Sequence, residues 1–292
     1  MDLLCIVGPT AVGKTRLSIE LAKKLNGEII SGDAMQFYKG LDIGTAKATK
    51  AEQSQVKHHL LDILEPDESF SVAKYQGIVR DKISEIQNKN KLPILVGGSG
   101  LYIQSVVKDY LFKGKAHNKT SDYEKMSLKE LQSLLKEKNP LSYEVVDLKN
   151  KRRVIRALEK KDEDIQKDVS NYYNNALIIG LNMERSLLYE RINKRVYGMV
   201  EAGLFEEVRS LYKQNIHTQA IKAIGYKEIY QYFEGLISKD EAIRLIQRNS
   251  RRYAKRQLTW FRNKLDVQWF QSNVEDFSQT VDQVYHYIKK TH

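Results

Sequence analysis

Leu3-Leu4-Cys5-Ile6-Val7-Gly8-Pro9-Thr10-Ala11-Val12-Gly13-Lys14-Thr15 is the stretch that decides the fold. Its first five residues are apolar without alternation, the pattern of a strand covered on both faces, as in parallel sheets. Residues 8–15 satisfy the phosphate-loop pattern G-x-x-x-x-G-K-[ST], and Leu17, Leu21 and Leu25 then recur at helical spacing. Strand, glycine loop and helix in this order let successive backbone N–H groups and a helix N-terminus face a phosphate. Gly8, Pro9, Thr10, Ala11, Val12, Gly13, Lys14 and Thr15 are therefore candidate oligophosphate- or diphosphate-binding residues, Lys14 adding a mobile charge and the Thr15 hydroxyl a ligand for Mg²⁺.

Outward from this loop, short apolar runs at 28–31, 92–96, 176–181 and 267–270 read as strands. Helical patterns occupy 72–87, 187–202, 205–212, 226–233 and 239–263. The alternation predicts an α/β fold, a P-loop NTPase-like parallel sheet core flanked by helices. Between 113 and 174 the texture turns rich in lysine and glutamate, which predicts a helical insertion domain, leaving 1–112 and 175–292 as the catalytic core.

The run Ile94-Leu95-Val96 leads into Gly97-Gly98-Ser99-Gly100 with no acid to share Mg²⁺, which argues against a motor or switch NTPase. A small-molecule or nucleoside kinase remains compatible with the loop. Asp33 follows the second strand at its carboxyl end, the edge where open parallel sheets bind ligands. A carboxylate there suits a general base or a metal ligand; residue type alone also allows a turn or a helix cap, and the position favours the functional role.

The chain has 292 residues, with 48 Lys+Arg against 37 Asp+Glu, a net charge of +11. Hydrophobic residues at 41% exclude a disordered chain. The early apolar run is far shorter than a bilayer span, and no charged leader precedes it, so neither membrane insertion nor secretion is expected. Cys5 alone makes no intrachain disulfide, so a cytoplasmic setting is expected. The surplus charge gathers in acid-poor segments: Arg244, Arg248, Arg252 and Arg256 follow i, i+4 spacing, and Lys149, Lys151, Arg152, Arg153 and Arg156 form a second cluster. Both suit a nucleic-acid backbone. His58-His59 lacks the further Cys or His that a zinc site needs.

Beyond the loop, Ser31-Gly32-Asp33-Ala34-Met35-Gln36-Phe37-Tyr38, Asp42-Ile43-Gly44-Thr45-Ala46-Lys47 and His58-His59-Leu60-Leu61-Asp62-Ile63 occur in turn. Gly97–Tyr102, Arg153–Glu159, Ala223–Glu228 and Tyr253–Phe261 follow. In order and jointly, these blocks resemble the tRNA dimethylallyltransferases, or tRNA isopentenyltransferases, over most of the chain. The resemblance implies transfer of the dimethylallyl group from dimethylallyl diphosphate to N6 of the adenosine immediately 3′ of the anticodon, with Mg²⁺ as cofactor and tRNA, through its anticodon stem-loop, as partner. It implies a catalytic set of Asp33 as base with Lys14, Thr10 and Ser99. The tRNA-binding set it implies is Asp33, Ala34, Met35, Gln36, Ser99, Arg152, Arg153, Val154, Ile155, Arg156, Lys222, Gly225, Tyr226 and Lys227, to which the basic ridge adds Arg248 and Arg252. A monomer is expected. Ala34 stands where the family usually has Ser, the stretches 113–125 and 159–174 are shorter than is usual, and the Cys/His zinc module of eukaryotic relatives is lacking, which points to the bacterial type.

Overall fold

The computed structural model describes residues 1–110, 120–159 and 170–291. They form two compact units, one of residues 1–108 and 171–292 and the other of residues 109–170. The expected insertion limits were 113 and 174; residues 113–119 and 160–169 of that insertion lie outside the described residues.

In the larger unit, β1 (Leu3–Val7), β2 (Gly27–Ser31), β3 (His58–His59), β4 (Leu92–Gly97), β5 (Ala176–Asn182) and β6 (Gln268–Gln271) form a parallel sheet in the order β3-β2-β4-β1-β5-β6. Strand β1 lies inside it, paired with β4 on one edge and β5 on the other. Its side chains alternate between faces, so Leu3, Cys5 and Val7 enter one core while Leu4 and Ile6 enter the core on the opposite face. That accounts for the unbroken apolar run: neither face meets water.

Helices cover both faces: α1 (Lys14–Lys24), α2 (Lys50–Gln55), α3 (Val72–Gln87) and α4 (Gly100–Val107) belong to the first part of this unit. Buried Tyr75, Val79, Ile83 and Ile86 give α3 its core stripe, and the Ser71 hydroxyl accepts from Lys74 N–H at its start. The smaller unit holds α5 (Thr120–Lys125), α6 (Leu128–Lys138), α7 (Pro140–Val145) and α8 (Lys151–Glu159) around Tyr123, Leu131, Leu135, Val154, Ile155 and Ala157. Ser127 and Glu130 form a capping box on α6, and Asn139 with Pro140 starts α7. The larger unit resumes with α9 (Arg185–Glu201), α10 (Leu204–Lys213), α11 (Tyr226–Phe233), α12 (Lys239–Lys264) and α13 (Phe277–Thr291).

Elements β3, α2, α4 and α13 go beyond the sequence expectation. Strand β3 is two residues long, so it carries no periodicity. His59 turns inward to Glu28 Oε2 at 2.7 Å, and Glu28 Oε1 meets Lys91 Nζ at 2.7 Å. His58 Nδ1 instead faces the Val56 carbonyl.

At the carboxyl ends of the parallel neighbours β2 and β4 there is no room for a side chain: a Cβ on Gly97 would lie 2.3 Å from the Gly32 carbonyl oxygen. Backbone cannot yield as a side chain can. Gly97→Ala is therefore expected to destabilise the protein by roughly 1–3 kcal/mol, the usual overpacking cost, read from the midpoint of urea unfolding.

Candidate active site

The carboxyl ends of β1, β2 and β4 open toward the same edge, and each carries a predicted site segment. After β1 the loop turns through two glycines that only glycine suits. Gly8 has φ 143° with its Cβ position 2.5 Å from the Leu181 carbonyl oxygen, and Gly13 has φ 106° against the Phe277 ring. Lys14 folds back over the loop, donating to the Gly8 carbonyl at 3.1 Å and the Pro9 carbonyl at 2.7 Å. Arg191 Nε on α9 holds the Ala11 carbonyl at 3.0 Å.

After β2, Asp33 Oδ1 accepts the Met35 N–H at 3.1 Å. Burial raises the Asp33 pKa above the usual carboxylate range, opposed by that hydrogen bond and by the positive charges of Lys14 and Arg195. Desolvation lowers the Lys14 pKa to about 7; Arg195 adds to the lowering and Asp33 counters it. Burial likewise lowers the Arg195 pKa, with Asp33 opposing. These three half-buried groups thus influence one another, two cations against one acid.

After β4, the Ser99 hydroxyl accepts the Ala34 N–H at 3.2 Å. Helix α12 crosses this edge. The Gln257 side-chain Oε1 accepts the Thr10 N–H at 2.9 Å, and its Nε2 donates to the Gly98 carbonyl at 2.9 Å, joining the phosphate loop to the end of β4. One turn earlier, Tyr253 is pushed up to about 12 by burial and by Asp33, while hydrogen bonding with Ser99 and Gln257 pulls the other way. A cavity of ≈ 640 Å³ lies against Thr15 and Arg195, walled further by Ile43, Ala46, Met199 and Ala202.

Thr10, Lys14, Thr15, Asp33 and Ser99 are thus brought to one edge of the sheet, as the sequence predicts. Four residues of the site went unread: Arg191, Arg195, Tyr253 and Gln257. Arg191 with Arg195 and Tyr253 with Gln257 are each spaced i, i+4 on a helix, and an uncharged Gln257 directly after the basic run 251–256 was the available signal.

Several expected RNA-contacting side chains need correction. Val154 and Ile155 pack in the core of the smaller unit because they fill the apolar stripe of α8. Tyr226 is 0% exposed, and its hydroxyl donates to Glu207 Oε1 at 2.6 Å. Gln36 turns inward, accepting from the Ser31 hydroxyl and donating to the Thr45 and Ala46 carbonyls. Gly225, with φ 101°, is buried at the start of α11. Ala34 and Met35 are partly buried in the turn after Asp33, whereas Arg152, Arg153, Arg156, Lys222, Lys227 and Arg252 are exposed. Arg153 faces Asp147 at 3.3 Å, Arg244 is paired with Glu241, and the Nε of half-buried Arg248 has no hydrogen-bond partner. The 244–256 ridge is therefore partly committed within the fold.

Because Lys14 loses its proton near neutrality, Lys14→Arg, which stays charged, is expected to bind inorganic diphosphate increasingly better than wild type as pH rises from 6 through about 7 to 9. The ratio of the two affinities, measured by calorimetry, cancels ionisation of the ligand; a pH-independent ratio refutes the shifted lysine.

Residues 36–264 match the family described as IPP transferase. The chain is 51% identical to the tRNA dimethylallyltransferase of Anoxybacillus flavithermus, covering 98% of this chain and 96% of the relative. It is also 51% identical to that of Bacillus subtilis, over 92% and 90%. Among solved structures it is similar to the tRNA isopentenylpyrophosphate transferase of Bacillus halodurans, with TM-score 0.78 and 46% identity over 99% of this chain and 95% of that one. It also resembles a eukaryotic dimethylallyltransferase acting on tRNA, with TM-score 0.83 and 25% identity over 99% and 79%. With a family match over most of its length and relatives at half identity over nearly all of it, this chain belongs to the IPP transferase family, whose members named here are tRNA dimethylallyltransferases.

Proposed function

We propose that this chain transfers the dimethylallyl group of dimethylallyl diphosphate to N6 of the adenosine immediately 3′ of the tRNA anticodon, releasing diphosphate. The observation that carries the reading is the meeting of Asp33 with Lys14 and Arg195 beside a phosphate loop. An allylic diphosphate ionises readily once its departing charge is neutralised, and the two cations and the loop are arranged for that. In the transfer the allylic C1–O bond breaks with its electron pair passing to diphosphate. The C1–N6 bond forms, and the N6 proton goes to the Asp33 carboxylate. Burial makes Asp33 a stronger base than an exposed aspartate, while the neighbouring cations favour its ionised form.

Mg²⁺ fits this site as a ligand-borne ion. Thr15 lines the cavity, and among the described residues no group of three or more His, Cys, Asp or Glu could hold a metal. The ion would therefore be held by the Thr15 hydroxyl together with diphosphate oxygens and water, where it supplies further neutralisation of the leaving group. No helix among the described residues is long and apolar enough to cross a membrane. The target base must leave its stack to reach Asp33, at a cost of roughly a few kcal/mol, offset by contacts in the pocket. Exposed basic side chains such as Arg252 and Arg256 suit the RNA backbone.

Incubation with labelled dimethylallyl diphosphate and unmodified tRNA is expected to label the RNA; ATP turnover without label would instead favour a kinase. Asp33→Asn is expected to lower the single-turnover rate by about 10²–10⁴-fold, the range of general-base catalysis, while leaving tRNA affinity unchanged in filter binding. Arg252→Ala with Arg256→Ala is expected to weaken tRNA binding and flatten its log–log salt dependence by roughly 0.7–0.9 per lost phosphate contact; an unchanged slope makes that face merely solvated.

A further inference from the structure

Glu207 on α10 is a carboxylate that the transfer chemistry leaves unused, yet donors converge on it. Its Oε2 accepts the N–H groups of Asp42 at 2.9 Å and Ile43 at 2.7 Å. Oε1 accepts the Gly44 N–H at 3.0 Å and the Tyr226 hydroxyl at 2.6 Å. Three consecutive backbone amides are thus turned toward one side chain. Glycine is required at 44, since a Cβ there would lie 2.5 Å from the Tyr226 ring.

The same segment is tied from its other sides. Gln36 holds the Thr45 and Ala46 carbonyls, and Ala46 turns through a φ of 47°. Buried Lys47 donates to the Tyr38 carbonyl at 2.8 Å and meets Asp42 at 2.6 Å and Asp62 at 2.5 Å. From residues 42–48, Asp42, Ile43, Ala46, Lys47 and Ala48 form a wall of the ≈ 640 Å³ cavity, which Thr15 and Arg195 also line. Ile43, Ala46 and Ala48 supply apolar side chains on that wall and Met199 and Ala202 supply more, among the charged Asp42, Lys47, Lys50, Glu52, Asp62 and Arg195.

We propose that Glu207, braced by Tyr226, is a positioning residue that holds the 42–48 wall in place to receive the allylic chain of the diphosphate substrate. The inference rests on the transferase reading above. It assigns Glu207 to binding of one substrate, without contact to the reacting atoms. A carboxylate suits the task because its two oxygens satisfy three amides and a hydroxyl together, which a carboxamide, with one acceptor oxygen, cannot.

Steady-state kinetics of Glu207→Gln, varying each substrate in turn, test this. The KM for dimethylallyl diphosphate is expected to rise about tenfold, the effect of one charge-assisted hydrogen bond, with kcat and the KM for tRNA within about twofold of wild type. In Glu207→Ala, acetate is expected to enter the vacated amide cradle and lower that KM again, relative to chloride at equal ionic strength. Unchanged KM values in Glu207→Gln, a rise in the KM for tRNA instead, a proportional loss of activity and folded fraction, or no response to acetate would each overturn the inference. Wild-type transfer is the control: its absence overturns the transferase reading and this inference with it, whereas normal wild-type transfer with an unmoved Glu207→Gln overturns the inference alone.

Discussion

Two half-buried cations and one half-buried carboxylate stand close enough to shift one another's proton affinity, and much of the structure follows from keeping them there. Lys14 and Arg195 are each driven toward the neutral form by burial and, for Lys14, by the neighbouring guanidinium, while Asp33 is driven toward protonation and held back by both. Such a grouping carries an unbalanced positive charge that an anion relieves. The arrangement therefore suits an anionic ligand. In the proposed transfer, the cations that would hold the diphosphate leaving group would also favour the ionised form of Asp33.

Holding these charges together requires elements distant in sequence to meet at close quarters. Gln257 reaches across from α12 to bind an amide of the phosphate loop and a carbonyl at the end of β4. There is no room for a side chain beneath it, since a Cβ on Gly98 would lie 2.1 Å from the Gln257 amide nitrogen. Gly100 is similarly closed by the Trp260 ring. The glycines after β4, which the sequence offers only as a break in the strand, are thus the seat of α12. The contrast between Glu207 and Arg252 follows the same logic: one charged side chain fixes a loop, and the other stays exposed.

Local pattern carried far in this chain. Strand β1, the phosphate loop and α1 were legible because each depends on neighbours in sequence: unbroken apolar residues, glycines at the turns, leucines at helical spacing. Helices α3 and α11 were legible at their observed limits for the same reason. Helix α13 was within reach, since Phe277, Val281, Val284 and Ile288 share a helical face. Strand β3 was not, because two residues have no period. The spacing rule that revealed a basic face on α12 counts charges, and it could not tell Arg244, engaged by Glu241, from exposed Arg252.

By itself the sequence determined the sheet class, the phosphate loop, the position of Asp33 after the second strand and, through its blocks in order, the family. Those features are encoded in residue type and short spacing. Only the tertiary structure decided that Arg195 and Gln257 complete the site, that Tyr226, Val154 and Ile155 are core residues, and that Glu207 fastens residues 42–44. The physical reason is that burial and proton affinity depend on what packs within a few ångströms. Glu207 and Gly44 stand 163 positions apart in the chain, yet 3.0 Å apart in the fold.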